Sequence, residues 1–259
     1  MEIIDLSQEI YSRRPSSASQ PTPIIWTNVH HADYTFKHGD ISFSSKGLIM
    51  SDHCGTHVDA YSHFDSRPDA LSIDRMPLDR FFTQAICLDF SHVPAGSYVT
   101  RRDIQEGLAK TGLDIRPGDT FLMRLGHLPE GVKDAPIRVF ERQAIMDRYL
   151  KGFPGLDREA TEWLADQGVV HIGTEARTVD NPSQEHWDSD PPNPSHTACR
   201  DRKVVVTENL VIPERIAGKR FVYAAFPLKI REGTGSPVRA VAILGLQLDA
   251  TGGPARPSA

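Results

Sequence analysis

His53-Cys54-Gly55-Thr56-His57-Val58-Asp59-Ala60-Tyr61-Ser62-His63 sets three imidazoles and one carboxylate within eleven residues, all four at odd-numbered positions. In an extended chain side chains alternate between faces, so this spacing predicts that His53, His57, Asp59 and His63 project to the same side and outline a metal cage. A helix would also bring His53 near His57, but Gly55 and the β-branched Thr56 and Val58 disfavour one. Gly55 falls on the ligand-bearing face, where the lack of a side chain is expected to let a metal or substrate approach the backbone. Imidazole nitrogen combined with carboxylate oxygen suits zinc, manganese or ferrous iron and is typical of open catalytic sites. Cys54, Cys87 and Cys199 are far apart and form no C-x-x-C, which excludes a zinc finger or ribbon. The other histidines His30, His31, His38, His92, His127, His171 and His186 read as ordinary surface or core residues.

Outward from this segment, 259 residues with 39% hydrophobic content suffice for a full core. A single domain is expected over 1–250, with 251–259 as a flexible tail. A net charge of −5 and no basic run interleaved with aromatics argue against nucleic acid as a partner and for a small molecule. No stretch reaches the roughly eighteen apolar residues of a membrane span, and the acidic opening Met1-Glu2-Ile3-Ile4-Asp5-Leu6 is unlike a signal peptide. Three cysteines without obvious partners fit a reducing cytoplasm.

Short apolar strands alternating with helical patterns predict an α/β layered domain. Strands are expected at Glu2 to Leu6, Thr83 to Phe90, Thr120 to Leu125 and Val169 to Gly173. One helix should start at the Thr100 cap and stop at Gly112, another should run from Asp157 to Gln167 and stop at Gly168, and a third is expected near Val139 to Leu150. Arg116-Pro117-Gly118-Asp119 reads as a turn, and Pro129 to Pro136 as irregular. Arg14 to Pro23 reads as a loop or arm, and Asp180 to Pro194 as a long loop of the kind that forms lids or site walls. His196 stands at the end of that loop, and Glu208 follows the strand-like Lys203-Val204-Val205-Val206-Thr207. A carboxylate at the end of an apolar strand is costly unless paired or bound to a cation, so His196 and Glu208 are candidates for the second half of the cage.

These residues together resemble the metal-dependent cyclase-like hydrolases, a family that includes bacterial kynurenine formamidase and isatin hydrolase and carries the signature H-x-G-T-H-x-D-x-P-x-H. Every specified residue except the proline is present between His53 and His63. The order of later blocks is also similar: Leu156 to Gly168, Val169 to Gly173, His196, Thr207-Glu208-Asn209-Leu210, Phe226-Pro227-Leu228-Lys229 and Gly235-Ser236-Pro237-Val238-Arg239-Ala240. The resemblance implies a single-domain swivelling β/β/α fold with a mixed β-sheet core, assembled as a homodimer or homotetramer. It implies metal ligation by His53, His57, Asp59, His196 and Glu208, with Asp59 able to bridge two ions, and a general acid/base role for His63. Glutamate at 208 is similar to the two-zinc branch of the family, with manganese as the alternative metal.

Tyr61 stands where the signature has proline, and is expected to narrow the pocket or hydrogen-bond a substrate. Gly173-Thr174-Glu175 replaces the Gly-Ile-Asp of the formamidases, and Arg177 beyond it is a candidate partner for a substrate carboxylate. The expected activity is metal-assisted hydrolysis of an amide-like C–N bond, in an aryl formamide or a cyclic amide or imide, with His63 shuttling protons. The alternatives are a polyketide-type cyclase using the same centre and a non-catalytic metal-dependent binding protein.

Overall fold

The computed structural model describes residues 1–14, 16, 20–33, 41–126, 150–182, 190–246 and 248. Its strands are β1 (Glu2–Asp5), β2 (Ile24–Val29), β3 (Ser45–Ile49), β4 (His57–Asp59), β5 (Phe82–Asp89), β6 (Tyr98–Val99), β7 (Thr120–Arg124), β8 (Gly155–Leu156), β9 (His171–Thr174), β10 (Val205–Glu208), β11 (Lys219–Ala224), β12 (Gly235–Pro237) and β13 (Val241–Leu244). The helices are α1 (Arg101–Thr111), α2 (Arg158–Asp166) and α3 (Pro194–Arg202). A mixed nine-stranded sheet runs in the order β1-β13-β11-β5-β7-β9-β10-β4-β12. Its centre, β5-β7-β9-β10, is parallel, and antiparallel strands extend it on both sides. This is the mixed-sheet α/β architecture expected from the alternating pattern.

Alternation along the central strands feeds two cores. Ala85, Cys87 and Leu122 join a cluster with Tyr61, Phe81 and Tyr223 on one face, while Ile86, Leu88, Phe121 and Met123 join one with Ile104, Leu156 and Leu164 on the other. Both faces are covered, which is why these strands read as unbroken apolar runs. Each fully buried Phe, Leu or Met contributes on the order of 1.5–3 kcal/mol.

The helix signals act as anticipated. Thr100 and Asp103 form a reciprocal capping box at the start of α1, and Gly112 closes it at φ 68°. Asp157 caps α2 through the Ala160 amide, and Gly168 turns the chain at φ 89°. The helix expected near Val139 to Leu150 and the irregular Pro129 to Pro136 lie, but for Leu150, outside the described residues, as does the proposed tail. No helix among the described residues is long and apolar enough to cross a membrane.

Three expectations need correction. The segment from His53 to His63 is not one extended stretch: residues 52–53 form a turn, Gly55 has φ 68°, β4 covers only His57–Asp59, and Tyr61–His63 is a short 3-10 helix. Extension would have failed as a cage, because at about 3.3 Å per residue it places His53 and His63 some 33 Å apart. Gly55 serves a left-handed turn; a β-carbon there would meet Ile10 at 3.2 Å. The stretch read as a loop up to Pro194 ends in a helix, since Pro194 opens α3, and His196 lies in its first turn. Lys203 is not part of the following strand but the left-handed cap of α3, at φ 57° and ψ 44°.

Candidate metal centre

β4 and β10 pair antiparallel, with Glu208 opposite His57 and Val206 opposite Asp59. Residues of one strand face alternate, and cross-strand partners share a face, so this register alone gathers His57, Asp59 and Glu208. On the other side of β4, Gly235 of β12 stands opposite Asp59. A β-carbon at Gly235 would lie 2.6 Å from Cε1 of His53, so His53 reaches the centre across the space that this glycine leaves open. His196 arrives from α3, which packs over the same face.

The result is two clusters sharing one carboxylate. Potential ligand atoms of His53, His57 and Asp59 lie within 4.8 Å of one another, and so do those of Asp59, His196 and Glu208. His53 Nδ1 is 2.9 Å and His57 Nε2 3.5 Å from Asp59 Oδ1. His196 Nε2 is 3.4 Å from Asp59 Oδ2 and 3.3 Å from Glu208 Oε1, while His57 Nε2 is 3.4 Å from Glu208 Oε2.

The outward-facing ring nitrogens explain which inward-facing nitrogens are free to ligate. His57 Nδ1 is 2.9 Å from the Gly55 carbonyl, which only accepts, so the ring donates there and Nε2 keeps its lone pair. His196 Nδ1 is 2.5 Å from Asp180 Oδ2, with the same consequence. Thr234 Oγ1 donates to Asp52 Oδ2 at 3.0 Å and therefore accepts from His53 Nε2 at 2.9 Å, which turns Nδ1 inward toward Asp59. Three inward-facing imidazole nitrogens and two carboxylates thus converge, and among the described residues the buried Asp59 oxygens have no partner other than these imidazoles. Such oxygens are costly to bury unless a cation meets them, so the donor set fits a divalent metal with nitrogen and oxygen ligands.

The electrostatics agree. Burial opposes charge on Asp59, but the imidazoles of His63, His196 and His53 outweigh it and hold the carboxyl well below its usual range. Burial likewise disfavours charged His57 and His196, yet the carboxylates of Glu208 and Asp59, joined by Asp180 at His196, push both imidazoles up. These protons are the ones a metal displaces on binding.

His63 sits differently. Its ring lies 4.0 Å from that of His53 and 6.2 Å from that of His196, and its side chain makes no hydrogen bond among the described residues. Burial draws its imidazole down to about 4, with Asp59 offsetting only part of that. Phe64 stacks on His196 at 4.1 Å and meets His63 edge-on at 4.7 Å. A small cavity beside the cluster is lined by Asp59, Tyr61, His63, Phe64, His196 and Arg200, among others. Tyr61 is buried in its wall, and its hydroxyl donates to the Lys203 carbonyl at 2.9 Å.

Seven of the side chains singled out from the sequence, His53, His57, Asp59, Tyr61, His63, His196 and Glu208, therefore meet at one place, and Arg177 is not among them. Asp180, Asp52, Thr234 and Gly235, which orient or admit the histidines, were not singled out. Asp180 is one carboxylate among Glu185, Asp188 and Asp190 in a polar stretch, with no local signal to distinguish it. Glu175 turns out to be structural: its buried carboxylate accepts from the amides of Leu125, Gly126 and Ile212. Arg177 donates to the Leu150 carbonyl and lies over the Phe153 ring. His171 is a satisfied core histidine, bonded to the Arg80 carbonyl and the Thr207 hydroxyl.

The Cyclase family model ("Putative cyclase") matches residues 4–181. Kynurenine formamidase of Paracidovorax citrulli is 34% identical over 194 residues, covering 75% of this chain and 77% of the relative. Isatin hydrolase of Roseibium aggregatum is 24% identical over 208 residues, covering 78% of this chain and 75% of the relative. The structure of isatin hydrolase A from Labrenzia aggregata bound to benzyl benzoate has the same fold, with a TM-score of 0.76, 22% identity and 93% of each chain covered. With a family match over more than half its length and a relative at 34% identity, this chain belongs to the Cyclase family.

Proposed function

We propose that the chain is a metal-dependent hydrolase that cleaves an amide-like C–N bond in a small molecule, an aryl formamide or a cyclic amide or imide. The observation that carries this reading is the pair of clusters around Asp59, whose imidazole nitrogens and carboxylate oxygens face one another. The relatives named kynurenine formamidase and isatin hydrolase support the bond class.

His53, His57, Asp59, His196 and Glu208 are the proposed ligands, with zinc as the metal in preference to manganese. A divalent cation held there would polarise a carbonyl and would lower the pKa of water beside it toward neutrality. The protein's own part is orientation and proton transfer. Asp180, the Gly55 carbonyl and Thr234 hold the three ligand rings in the ligating tautomer. His63, beside the ligands and without a side-chain hydrogen bond among the described residues, takes a proton from attacking water at its ring nitrogen and returns it to the leaving amine. Phe64 and the Tyr61 ring form apolar walls suited to an aromatic substrate. The proposed setting is a homodimer in a reducing cytoplasm, consistent with three buried free cysteines.

The test is to assay the full-length chain, loaded with zinc or manganese, against a panel of aryl formamides, lactams and cyclic imides. Hydrolysis of one class with loss of activity on chelation is expected. Ring closure of a polyketone in place of hydrolysis, or tight binding of panel members without turnover, overturns the proposal.

A further inference from the structure

We infer that Tyr61 is a positioning residue for the cluster of Asp59, His196 and Glu208, its phenol holding the corner at Lys203 through which the chain passes from His196 to Glu208. The inference rests on reading that cluster as a cation site. α3, which carries His196, ends at Arg202, and β10, which carries Glu208, begins at Val205, so Lys203 and Val204 alone separate them. Lys203 takes the left-handed conformation, unfavourable for any residue with a β-carbon, and such a residue persists only where its surroundings fix it.

The fixing contacts come from the segment that continues from Asp59. Tyr61 Oη donates to the Lys203 carbonyl at 2.9 Å, and the Lys203 ammonium lies 5.4 Å from the Tyr61 ring centroid. The same ammonium is 3.4 Å from Asp65 Oδ2, and Asp65 is itself held by the Arg67 guanidinium and amide. Tyr61 and Asp65 flank His63, so one short segment supplies Asp59 and the proton carrier and also grips the junction between the other two ligands. His196 Nε2 stands 3.4 Å from Asp59 and 3.3 Å from Glu208, so a shift of the corner changes ligand spacing on both sides of that imidazole. A proline in place of Tyr61 would offer neither a donor for the carbonyl nor a ring face for the ammonium. The phenol hydroxyl is engaged by the protein's own backbone, which assigns it to ligand geometry rather than to substrate recognition.

Zinc uptake by the chelator-stripped full-length chain, followed by competition with a chromogenic chelator, tests this. His196→Ala identifies the binding step that belongs to the cluster, as the step that disappears. Tyr61→Phe, which removes only the hydroxyl, is expected to weaken that step about three- to tenfold, the worth of one hydrogen bond, and to leave the other step in place. Lys203→Gly adopts the corner without strain and keeps the carbonyl that the phenol bonds but loses both ammonium contacts, so it is expected to weaken the same step and to spare the other. An unshifted step in Tyr61→Phe, or equal weakening of both steps in either variant, overturns the inference. If the unsubstituted chain shows no step that His196→Ala removes, it is the cation reading of the cluster that fails.

Discussion

His53, His57 and Asp59 come from seven consecutive residues, whereas Asp59, His196 and Glu208 are brought together from β4, α3 and β10. The first cluster is held directly by neutral groups, the Gly55 carbonyl behind His57 and the Thr234 hydroxyl behind His53, with the Asp52 carboxylate one hydrogen bond further back. The second is oriented by charge, the fully buried Asp180 standing behind His196 and accepting also from the Ser195 amide at 2.7 Å. A hydrogen bond to an ionised acceptor is roughly twice as strong as a neutral one, so the distant cluster spends more on orientation than the local one. What chain proximity supplies to the first, sheet register and a buried carboxylate must supply to the second.

Substituting the shared residue is expected to have the largest effect. Asp59→Ala removes a ligand from both clusters, so dialysed protein should contain almost no metal by elemental analysis, and zinc should no longer raise its Tm. Retention of one full equivalent would show that the clusters do not depend jointly on Asp59. Next, His63→Ala should lower turnover by roughly 10²- to 10⁴-fold while metal content stays at the level of the unsubstituted chain. Equal metal loss in His63→Ala and Asp59→Ala would place His63 among the ligands and end its separate role.

The two orienting groups allow the asymmetry itself to be measured. Asp180→Asn keeps the shape behind His196 but removes the charge, and zinc affinity at the second cluster should fall about 10- to 100-fold, read by chelator competition. Thr234→Val removes only the neutral hydroxyl behind His53, and about a fivefold loss at the first cluster is expected. An effect of Thr234→Val that matches or exceeds that of Asp180→Asn would erase the distinction between charge-oriented and neutrally oriented halves.

Local chemistry carried much of this molecule. Thr100 and Asp103 announced α1, Asp157 and Gly168 bracketed α2, and the apolar runs Thr83 to Phe90 and Thr120 to Leu125 read as buried strands because both sheet faces are covered. β4 was read only as part of a longer extended stretch, and β12 was illegible as a strand, both being three residues long and defined by their partners rather than by a pattern of their own. α3 was hidden for another reason: polar and proline-rich, with Pro194, Ser195, Thr197 and Asp201 in or beside it, it has little apolar periodicity, and only the proline at its start marked it. Gly235 could be quoted as part of a resembling block, but its purpose is visible only with the His53 ring lying across it.

The sequence by itself determined the kinds of donor group available and the oddity of Tyr61, because residue identity and motif spacing are properties of the chain; spacing alone placed His63 in the cage, and only the family resemblance set it apart. Only the tertiary structure decided how those ligands meet. An extended motif would hold its histidines tens of ångströms apart; the left-handed turn at Gly55, the antiparallel register of β4 with β10, and the docking of α3 on Asp180 bring the ligand nitrogens and oxygens to within 2.9–3.5 Å. Ligand distance is fixed by turns and register, and those depend on partners remote in sequence, such as Thr234 and Asp180, that no local pattern encodes.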